Sequence, residues 1–343
     1  MSKVWFYPDE HNAYLDLMRK AIESCGSTLL PNASLKSYLK ADILHLNWYE
    51  NLPDGRLERI IKFTFKSALL CMAKLFRKRV VFVLHNKRPH ENVSGLCVRL
   101  MNRLIRSADN VIIHSKCSMA LLPTRDGIVY VPHPNFVDAY PAGKRYDVLK
   151  REKSQKILLF IGAVQPYKNV ATVLRVAERF SEEKDLIFWI CGKPASKEYG
   201  DMLVQTAKTD NVRFDLRYIR DDEIASLMDM ADAVIQPYDT TSALNSGAAI
   251  LAFSYGKTVV STDTGTIRDL EDSGLVYCYE YSSDPGIHAD RLEASIQKLL
   301  ADLRSDQDIL KKKGNALREK MLMDNDIHMT AKSLQKCGYG KRR

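Results

Sequence analysis

Short apolar segments alternate with longer amphipathic segments along the whole chain of 343 residues. The apolar segments are rich in Val, Ile, Leu and Phe, as strands buried on both faces of a sheet are. The segments between them have the apolar spacing of helices. Strands that each lead into a helix predict parallel sheets covered on both faces. Because the alternation fills both halves, the sequence predicts an α/β protein with two doubly wound, Rossmann-like domains.

Six strands are predicted in each half of the chain. The first-half strands are KVWFY, STLL, DILHLNW, RVVFVLH, DNVIIHS and GIVYVP, and the second-half strands are KILLFIG, DLIFWICG, NVRFD, DAVIQPY, KTVVST and GLVYCY. Helices are predicted near residues 12–25, 56–78, 93–107, 169–182, 197–209, 221–231, 245–255 and 288–303, and from about residue 306 onward.

The domain boundary is predicted within residues 132–156, where three Pro, a Gly and a charge run lie without sustained periodicity. This gives an N-terminal domain of residues 1–140 and a C-terminal domain of residues 141–319. A C-terminal helix of about residues 320–343 is expected to pack back on the N-terminal domain. Two such domains imply a central cleft, with ligands at the carboxyl ends of the strands.

Composition narrows the class of protein. The seven Cys are scattered without a C-x-x-C pair, which indicates reduced thiols and neither a disulfide framework nor a zinc site. We find no apolar run of the roughly 18 residues that span a bilayer and no signal-peptide core, so a cytoplasmic protein is expected. Residues 1–150 hold 23 Lys and Arg against 13 Asp and Glu, whereas the remainder holds 28 against 29. The basic half is therefore expected to meet phosphates.

Two loops of the second half have the composition of a phosphate site. In FIGAVQPYKNV, Lys168 stands just before a helix that Asn169 can cap. In PYDTTSALNSGAAILAFSYGKTVV, a run of hydroxyl residues and glycine leads into another helix. Each loop alone also fits a simpler interpretation, a solvated Lys in a turn or a Ser/Thr-capped core helix. Two such loops after strands of one sheet favour the phosphate site.

These two loops resemble motifs of glycosyltransferases of the GT-B fold, near the large family 4. FIGAVQPYKNV is similar to the family element G-x-[IV]-x-P-Y-K-[GN]-V, and the second loop is similar to the element that ends in G-K-x-V. In the first half, HNAYLDLM resembles an Asn-x-Tyr element and FVLHNKRPHE resembles T-x-H-N-x-x-P-H-E. The resemblance covers nearly the whole chain, with the motifs in the family order. It implies a GT-B fold and metal-independent transfer of a hexose-type sugar from a nucleotide diphosphate donor to an acceptor hydroxyl, with no further cofactor.

The resemblance also implies a donor-binding set. Its members follow the strands of the C-terminal domain: Gly162, Lys168, Thr241, Ser242, Asn245, Ser246 and Gly247. Two positions depart from the family pattern, since Ala163 replaces a common Arg and Leu251 replaces a common ribose-binding Glu. The nucleotide and the donor sugar are therefore left open.

Acid–base candidates lie in the loops of the first half. The catalytic candidates are His85, Asp9 and Glu10, and His85 is equally interpreted as a hydrogen-bonded residue at a strand end. The candidates on the acceptor side are Asn12, Tyr14, Lys87, Arg88, His90 and Glu91. His90 and Glu91 also fit caps of the next helix.

The segment 56–79 carries eight Lys and Arg and one Glu among apolar residues at helical spacing. Such a helix fits an anionic membrane interface, and it equally fits a core helix with a basic outer face. The resemblance favours the membrane, because related enzymes act on polyprenyl-diphosphate-linked acceptors there. The expected membrane face comprises Lys62, Lys66, Arg77, Lys78 and Arg79. The basic helix matches no nucleic-acid-binding motif, so no nucleic-acid partner is expected.

The leading hypothesis is a peripheral membrane glycosyltransferase of the cytoplasmic face that builds a cell-surface polysaccharide or glycolipid. Its partners would be a nucleotide sugar, a lipid-linked or saccharide acceptor and an anionic membrane surface. Two alternatives stay open: a GT-B-like sugar-nucleotide epimerase, and a degenerate subunit that binds a partner glycosyltransferase.

Overall fold

The computed structural model describes residues 1–88, 94–122, 124–141, 143, 146 and 151–341. The chain divides into two compact units. Unit 1 contains Met1–Pro134, Thr241–Asn245 and the C-terminal segment that begins at Asp324. Unit 2 contains Asn135–Thr240 and Ser246–Met323.

Unit 1 is built on a parallel sheet of six strands. The strands are β1 (Lys3–Tyr7), β2 (Thr28–Leu29), β3 (Ile43–Asn47), β4 (Arg79–Val83), β5 (Asn110–Ile113) and β6 (Ile128–Tyr130). Its first four helices are α1 (Ala13–Ser24), α2 (Leu35–Lys40), α3 (Arg56–Leu75) and α4 (Gly95–Ser107). The strand order is β2-β1-β3-β4-β5-β6. All strands are parallel, but the direction in which successive strands are added to the sheet reverses between β1 and β3.

Unit 2 repeats this plan with a second parallel sheet. The strands are β7 (Lys156–Ile161), β8 (Leu186–Cys191), β9 (Val212–Asp215), β10 (Ala233–Gln236), β11 (Thr258–Thr262) and β12 (Tyr277–Tyr279). The helices are α5 (Val170–Arg179), α6 (Lys197–Thr206), α7 (Ile224–Met230), α8 (Gly247–Ser254), α9 (Gly265–Arg268), α10 (Pro285–Ser305) and α11 (Ile309–Asp324). The order β12-β11-β10-β7-β8-β9 reverses between β10 and β7.

Burial on both faces explains why the strands read as apolar runs. All six residues of β8 and five of the six in β7 are buried. In unit 1, the side chains of Trp5, Leu44 and Phe82 pack in one apolar cluster with helices α3 and α4. All twelve predicted strands are present, and the predicted α/β fold with two Rossmann-like units is confirmed.

The helices differ from the sequence predictions in three places. Helix α2, only six residues long, and α9, only four, were not predicted, because neither is long enough to show a helical repeat. The continuous helix predicted from about residue 306 is two helices, α11 and α12 (Ile327–Leu334). The second is capped by Asp326, whose side chain accepts a hydrogen bond from the Met329 amide at 2.6 Å.

The C-terminal segment belongs to the core of unit 1. Helix α12 packs on α1, and the Cys25 thiol donates to the Ala331 carbonyl at 3.0 Å. The hydroxyl of Tyr339 lies 2.6 Å from Nδ1 of His45, a buried residue in the middle of β3. Farther along, the Gly340 amide donates to the Ser27 hydroxyl at 2.9 Å. The last helix therefore fills a part of the core that the first 134 residues leave open.

Replacing Tyr339 should destabilise unit 1. Tyr339→Phe removes the partner of a buried imidazole nitrogen and should lower the free energy of unfolding by about 1 to 3 kcal/mol. Tyr339→Ala also leaves a cavity and should cost about 3 to 5 kcal/mol. Urea unfolding measures both values, with the exposed Tyr218→Ala as the matched control. A Tyr339→Ala protein as stable as the control would contradict a structural role for this segment.

Candidate functional site

The point where the sheet of unit 2 reverses direction places two loops side by side. The loop after β7 contains Lys168, and the loop after β10 contains Tyr238. Two hydrogen bonds join these loops: the Asp239 amide donates to the Tyr167 carbonyl at 2.8 Å, and the Asn169 side chain donates to the Pro237 carbonyl at 3.0 Å. Crevices at such reversals are where open α/β sheets bind ligands.

Lys168 occupies this crevice, and among the described residues it has no partner of opposite charge. Its ammonium lies 5.3 Å from the ring centre of Tyr238 and 6.0 Å from that of Tyr167. Within the part of the chain that the structure describes, no hydrogen bond or ion pair of this ammonium is found. Burial lowers the pKa of Lys168 to about 8. An amine held in this way gains stability as an ammonium when an anion binds beside it.

Two glycines let the backbone approach Lys168 closely. Gly162 ends β7 with a φ of +123°, and a Cβ there would lie 3.2 Å from the Lys168 ammonium. Gly192 ends β8 with a φ of +142°, and a Cβ there would lie 1.8 Å from the Gly162 carbonyl oxygen. Both φ angles lie in the region that favours glycine. At Gly192 a side chain would also clash with the Gly162 backbone.

A cavity of about 440 Å³ opens next to these glycines. It is lined by residues that follow β7, β8 and β9, among them Gly162, Gly192, Lys193, Tyr218 and Ile219. Only Gly162 was predicted as a site residue. Gly192 carried a usable signal, because ICGK after β8 repeats the strand-glycine pattern of FIG after β7. The sequence contained no comparable signal for Tyr218 and Ile219, since their position at the cavity depends on how the loop after β9 folds.

The start of α8, which the sequence predicts to bind an anion, belongs to unit 2. Ser246 caps the helix, and its hydroxyl accepts from the Ala249 amide at 3.1 Å. Gly247 opens the helix, and a Cβ there would meet no atom within 4 Å, so the approach to the helix end is open. Leu251, at the position where related enzymes carry Glu, is buried in the core. Ala163, at the position of the family Arg, lines the cavity beside Gly162.

The other three predicted donor residues are grouped with unit 1. These are Thr241, Ser242 and Asn245. The Ser242 carbonyl accepts from the Lys87 amide at 3.0 Å, and Ala243 forms an isolated antiparallel bridge with Asn86. The backbone of this turn is thus fixed by the loop that follows β4.

The carboxyl edge of the sheet of unit 1 carries a cluster of aromatic and imidazole rings. His85, after β4, stacks on Trp48 at 4.1 Å between ring centres, and its Nε2 lies 3.0 Å from Oδ1 of Asn47. Tyr14 contacts the edge of His85, and its hydroxyl lies 2.8 Å from Nε2 of His114. His133 packs on both Tyr14 and His114. Sequence reasoning placed His85 and Tyr14 here but missed Asn47 and His114.

The hydrogen bonds fix the protonation of His85. The Asn47 side-chain nitrogen donates to the Tyr7 carbonyl at 3.1 Å, so Oδ1 of Asn47 is an acceptor. Nε2 of His85 must then carry the proton, and Nδ1 holds a lone pair that no described residue engages. Burial and the neighbouring His114 hold the pKa of His85 well below its usual value. The same causes lower the pKa of His133 to about 3, and burial lowers that of His114 to about 4. The three rings are therefore neutral at physiological pH.

The remaining candidates of the first half lie in different settings. Asp9, Glu10 and Arg88 are exposed. Asn12 is the N-cap of α1, where its side chain accepts from the Leu15 amide at 2.9 Å. His90 and Glu91 lie outside the described residues.

Two of the five expected membrane-face cations were placed wrongly. The Lys66 ammonium is buried and donates to the carbonyls of Tyr49 and Asn51 at 2.9 and 2.8 Å. Lys78 is buried as well and donates to two backbone carbonyls near the end of α2. The helical repeat did not separate these lysines from the exposed ones, because their long side chains reach past the apolar layer to backbone oxygens.

The other three cations remain at least partly exposed. Lys62 and Arg77 are exposed, whereas Arg79 is partly buried and donates to the Cys337 carbonyl at 3.2 Å. The exposed side of α3 also carries Arg56 and Lys74. Its large exposed apolar residues are Leu57, Ile60, Ile61, Phe65 and Leu75, and Phe76 follows at its end. This surface is called the α3 face below.

The described residues lack two kinds of feature. No group of three or more His, Cys, Asp or Glu side chains there is arranged to hold a metal ion. None of the described helices has the length and apolar character needed to span a membrane.

Comparison with solved structures shows how widely this fold is shared. Alr3699/HepE from Anabaena, solved with UDP and glucose, superposes with a TM-score of 0.66 over 98% of this chain and 99% of its own, at 14% identity. WaaG, a glycosyltransferase involved in lipopolysaccharide biosynthesis, superposes with a TM-score of 0.57 over 98% and 100%, at 11% identity. A glycosyltransferase from Rickettsia africae superposes with a TM-score of 0.59 over 96% of this chain and 83% of its own, at 13% identity. No curated protein is similar enough in sequence to give a significant match.

The sequence profile of the family described as "Glycosyl transferases group 1" matches residues 145–316. This range holds all six strands of unit 2, the two glycines and Lys168. The fold, the crevice at the sheet reversal and the profile agree. The chain belongs to the group 1 glycosyl transferases and is a glycosyltransferase of the GT-B fold.

Proposed function

We propose that unit 2 binds a nucleoside diphosphate sugar and that the enzyme transfers the sugar to a hydroxyl of a lipid-linked saccharide at a membrane surface. The observation that carries the donor half of this proposal is the desolvated, unpaired ammonium of Lys168. A carboxylate partner would satisfy that charge permanently. Its absence among the described residues leaves the charge for a ligand anion, and a diphosphate is the anion that a sugar nucleotide supplies.

Lys168 and the start of α8 together form the diphosphate site in this proposal. The leaving nucleoside diphosphate gains negative charge as the glycosidic bond breaks, so a fixed cation stabilises the transition state more than the ground state. The backbone amides that begin at Gly247 also stabilise the diphosphate charge, since the first turn of a helix has N–H groups without helical partners. We assign the charge neutralisation to these groups and expect turnover to be unchanged by EDTA.

The cavity beside Gly162 is assigned to the nucleoside. Its volume of about 440 Å³ is in the range of small-molecule sites, and it opens directly at the glycine that contacts Lys168. Tyr218 offers an exposed ring and Ile219 an apolar surface against which a base can pack. HepE was solved with UDP, so uridine nucleotides are the first donors to test.

His85 is the proposed group on the acceptor side. Its Nδ1 lone pair accepts a hydrogen bond or a proton from an incoming hydroxyl, while Asn47 holds the ring through Nε2. The lowered pKa keeps this nitrogen unprotonated at physiological pH. Asp9 and Glu10 stay the alternative acid–base groups, because both are exposed in the loop after β1.

The proposal of a lipid-linked acceptor is supported by the α3 face. Apolar side chains and cations share the exposed side of one helix, the arrangement of helices that lie in a membrane interface. Anionic headgroups would meet Arg56, Lys62, Lys74 and Arg77, while the apolar side chains enter the acyl boundary.

Replacing Lys168 should weaken UDP binding in a pH-dependent way. Lys168→Ala removes a charge-assisted contact and should raise the Kd for UDP by about 10- to 100-fold at pH 7. In the native chain UDP binds the ammonium form, whose pKa is about 8 without ligand. The affinity should therefore be full below pH 8 and fall about tenfold for each further pH unit. Isothermal titration calorimetry between pH 6.5 and pH 10 measures both effects.

Two variants serve as controls for this test. Lys168→Arg keeps the positive charge at all these pH values, so the UDP affinity of this variant should not decline above pH 8. Lys208→Ala removes an exposed lysine of unit 2 and should change nothing. A native profile that stays flat through pH 9, or a Lys168→Ala protein with native affinity, would refute the assignment of the diphosphate site.

Reversing two exposed charges of the α3 face should reduce membrane binding. Each lysine near an anionic surface contributes about 1 kcal/mol, so Lys62→Glu with Lys74→Glu should lower partitioning at least about 30-fold. Sedimentation with vesicles of phosphatidylcholine and phosphatidylserine at 0.15 M salt measures the partition. The matched control makes the same charge change in unit 2, with Lys184→Glu and Lys311→Glu. Equal binding of the two double variants would contradict a membrane role for this face.

A further inference from the structure

A second cavity, separate from the donor crevice, lies within unit 1. Its volume is about 350 Å³, and it is bounded by strand β1, helix α2, the residue Tyr49 and helix α3. The rings of Trp5, Tyr7, Tyr38 and Tyr49 contribute much of its wall. It is called the aromatic cavity below. Lys62 and Lys66 of the expected membrane face line it, and it lies outside the proposed donor site.

The polar atoms of the aromatic cavity are largely occupied by the protein itself. The Trp5 indole nitrogen donates to the Ser34 carbonyl at 3.1 Å, and the Tyr38 hydroxyl donates to the Leu69 carbonyl at 2.6 Å. The Tyr49 hydroxyl donates to the Lys66 carbonyl at 3.3 Å. What the wall offers to a ligand is therefore ring faces and aliphatic side chains. A ligand that fills it must have an apolar body.

The mouth of the cavity belongs to the exposed apolar surface of the same unit. Leu35, Ile61 and Phe65 line the cavity and are each more than half exposed. Ile61 and Phe65 are also members of the α3 face. Lys62 stands between them in the wall, and its ion pair among the described residues is a 3.6 Å contact to Glu58. An apolar ligand with an anionic end would thus find a cation at the opening.

We propose that the aromatic cavity binds the hydrocarbon chain of a phosphate-linked lipid acceptor, with the lipid phosphate at Lys62. This inference rests on the proposed transfer to a lipid-linked saccharide and names the part of unit 1 that holds the lipid. The cation at the mouth and the apolar interior match the two ends of such a molecule. The α3 face places the opening where a chain leaves the membrane.

The cavity is linked to the His85 cluster by the backbone of β1 and by the end of β3. Tyr7 contributes its ring to the cavity and its carbonyl to Asn47, the residue that holds His85. Trp48 stacks on His85, and the next residue, Tyr49, lines the cavity. The cavity and the proposed acid–base group therefore share two stretches of backbone in the same unit.

A homologous series of alkyl phosphates tests this inference on the full-length chain without donor. Butyl, hexyl and octyl phosphate are titrated below the concentrations at which they form micelles. Each methylene buried in the cavity should strengthen binding about fourfold. Ala33→Trp fills the cavity wall and should abolish the dependence on chain length. Leu57→Ser with Leu75→Ser removes exposed apolar side chains of α3 outside the cavity and should preserve it.

Two further measurements keep the test independent of whether Ala33→Trp folds. Lys62→Glu should weaken all three ligands by the same factor, because it acts on the phosphate and not on the chain. A brominated octyl phosphate should quench tryptophan fluorescence, and Trp5→Phe should remove most of that quenching, leaving Trp48 and Trp189 as the background. Affinity independent of chain length, or quenching unchanged in Trp5→Phe, would overturn the inference. UDP binding is measured separately. If the chain binds UDP but not alkyl phosphates, this inference fails while the proposed donor site is unaffected.

Discussion

The positive charge of Lys168 is held in a place where none of the described residues balances it. Desolvation lowers the pKa of this amine to about 8, and the two tyrosine rings beside it offer only weak compensation. Such an arrangement costs folding free energy, and an anionic ligand recovers that cost when it binds. A Cβ at Gly162 would lie 3.2 Å from this ammonium, and a Cβ at Gly192 would clash with Gly162, so both glycines keep the space beside it free of side chains.

The carboxyl ends of the strands carry different chemical groups in the two units. In unit 2 the loops after β7 and β10 present a cation and helix amides, which suit a phosphate. In unit 1 the loops after β4 and β5 present neutral imidazoles, which suit a hydroxyl. The difference follows from the residues that end the strands: glycine and lysine after β7, histidine after β4 and β5.

The sequence was sufficient for the strands, because burial on both faces leaves a clear apolar run. It also placed Lys168 after a strand and the start of α8 after another, since local motifs specify loops at strand ends. It failed where long side chains decide the outcome. Lys66 and Lys78 have the same spacing as exposed lysines, but their ammonium groups reach backbone carbonyls inside the unit. Tyr218 and the aromatic cavity depend on contacts between distant segments, which no local pattern encodes.

The most direct test of the central claim is the pKa of the Lys168 ammonium with and without UDP. Carbon-13 labelling of lysine side chains allows this titration by NMR, and Lys168→Arg identifies the signal. We expect a pKa near 8 in the unliganded protein and a rise of at least one unit when UDP is saturating, because the diphosphate stabilises the charged form. A Lys168 pKa that is the same with and without UDP would contradict the account.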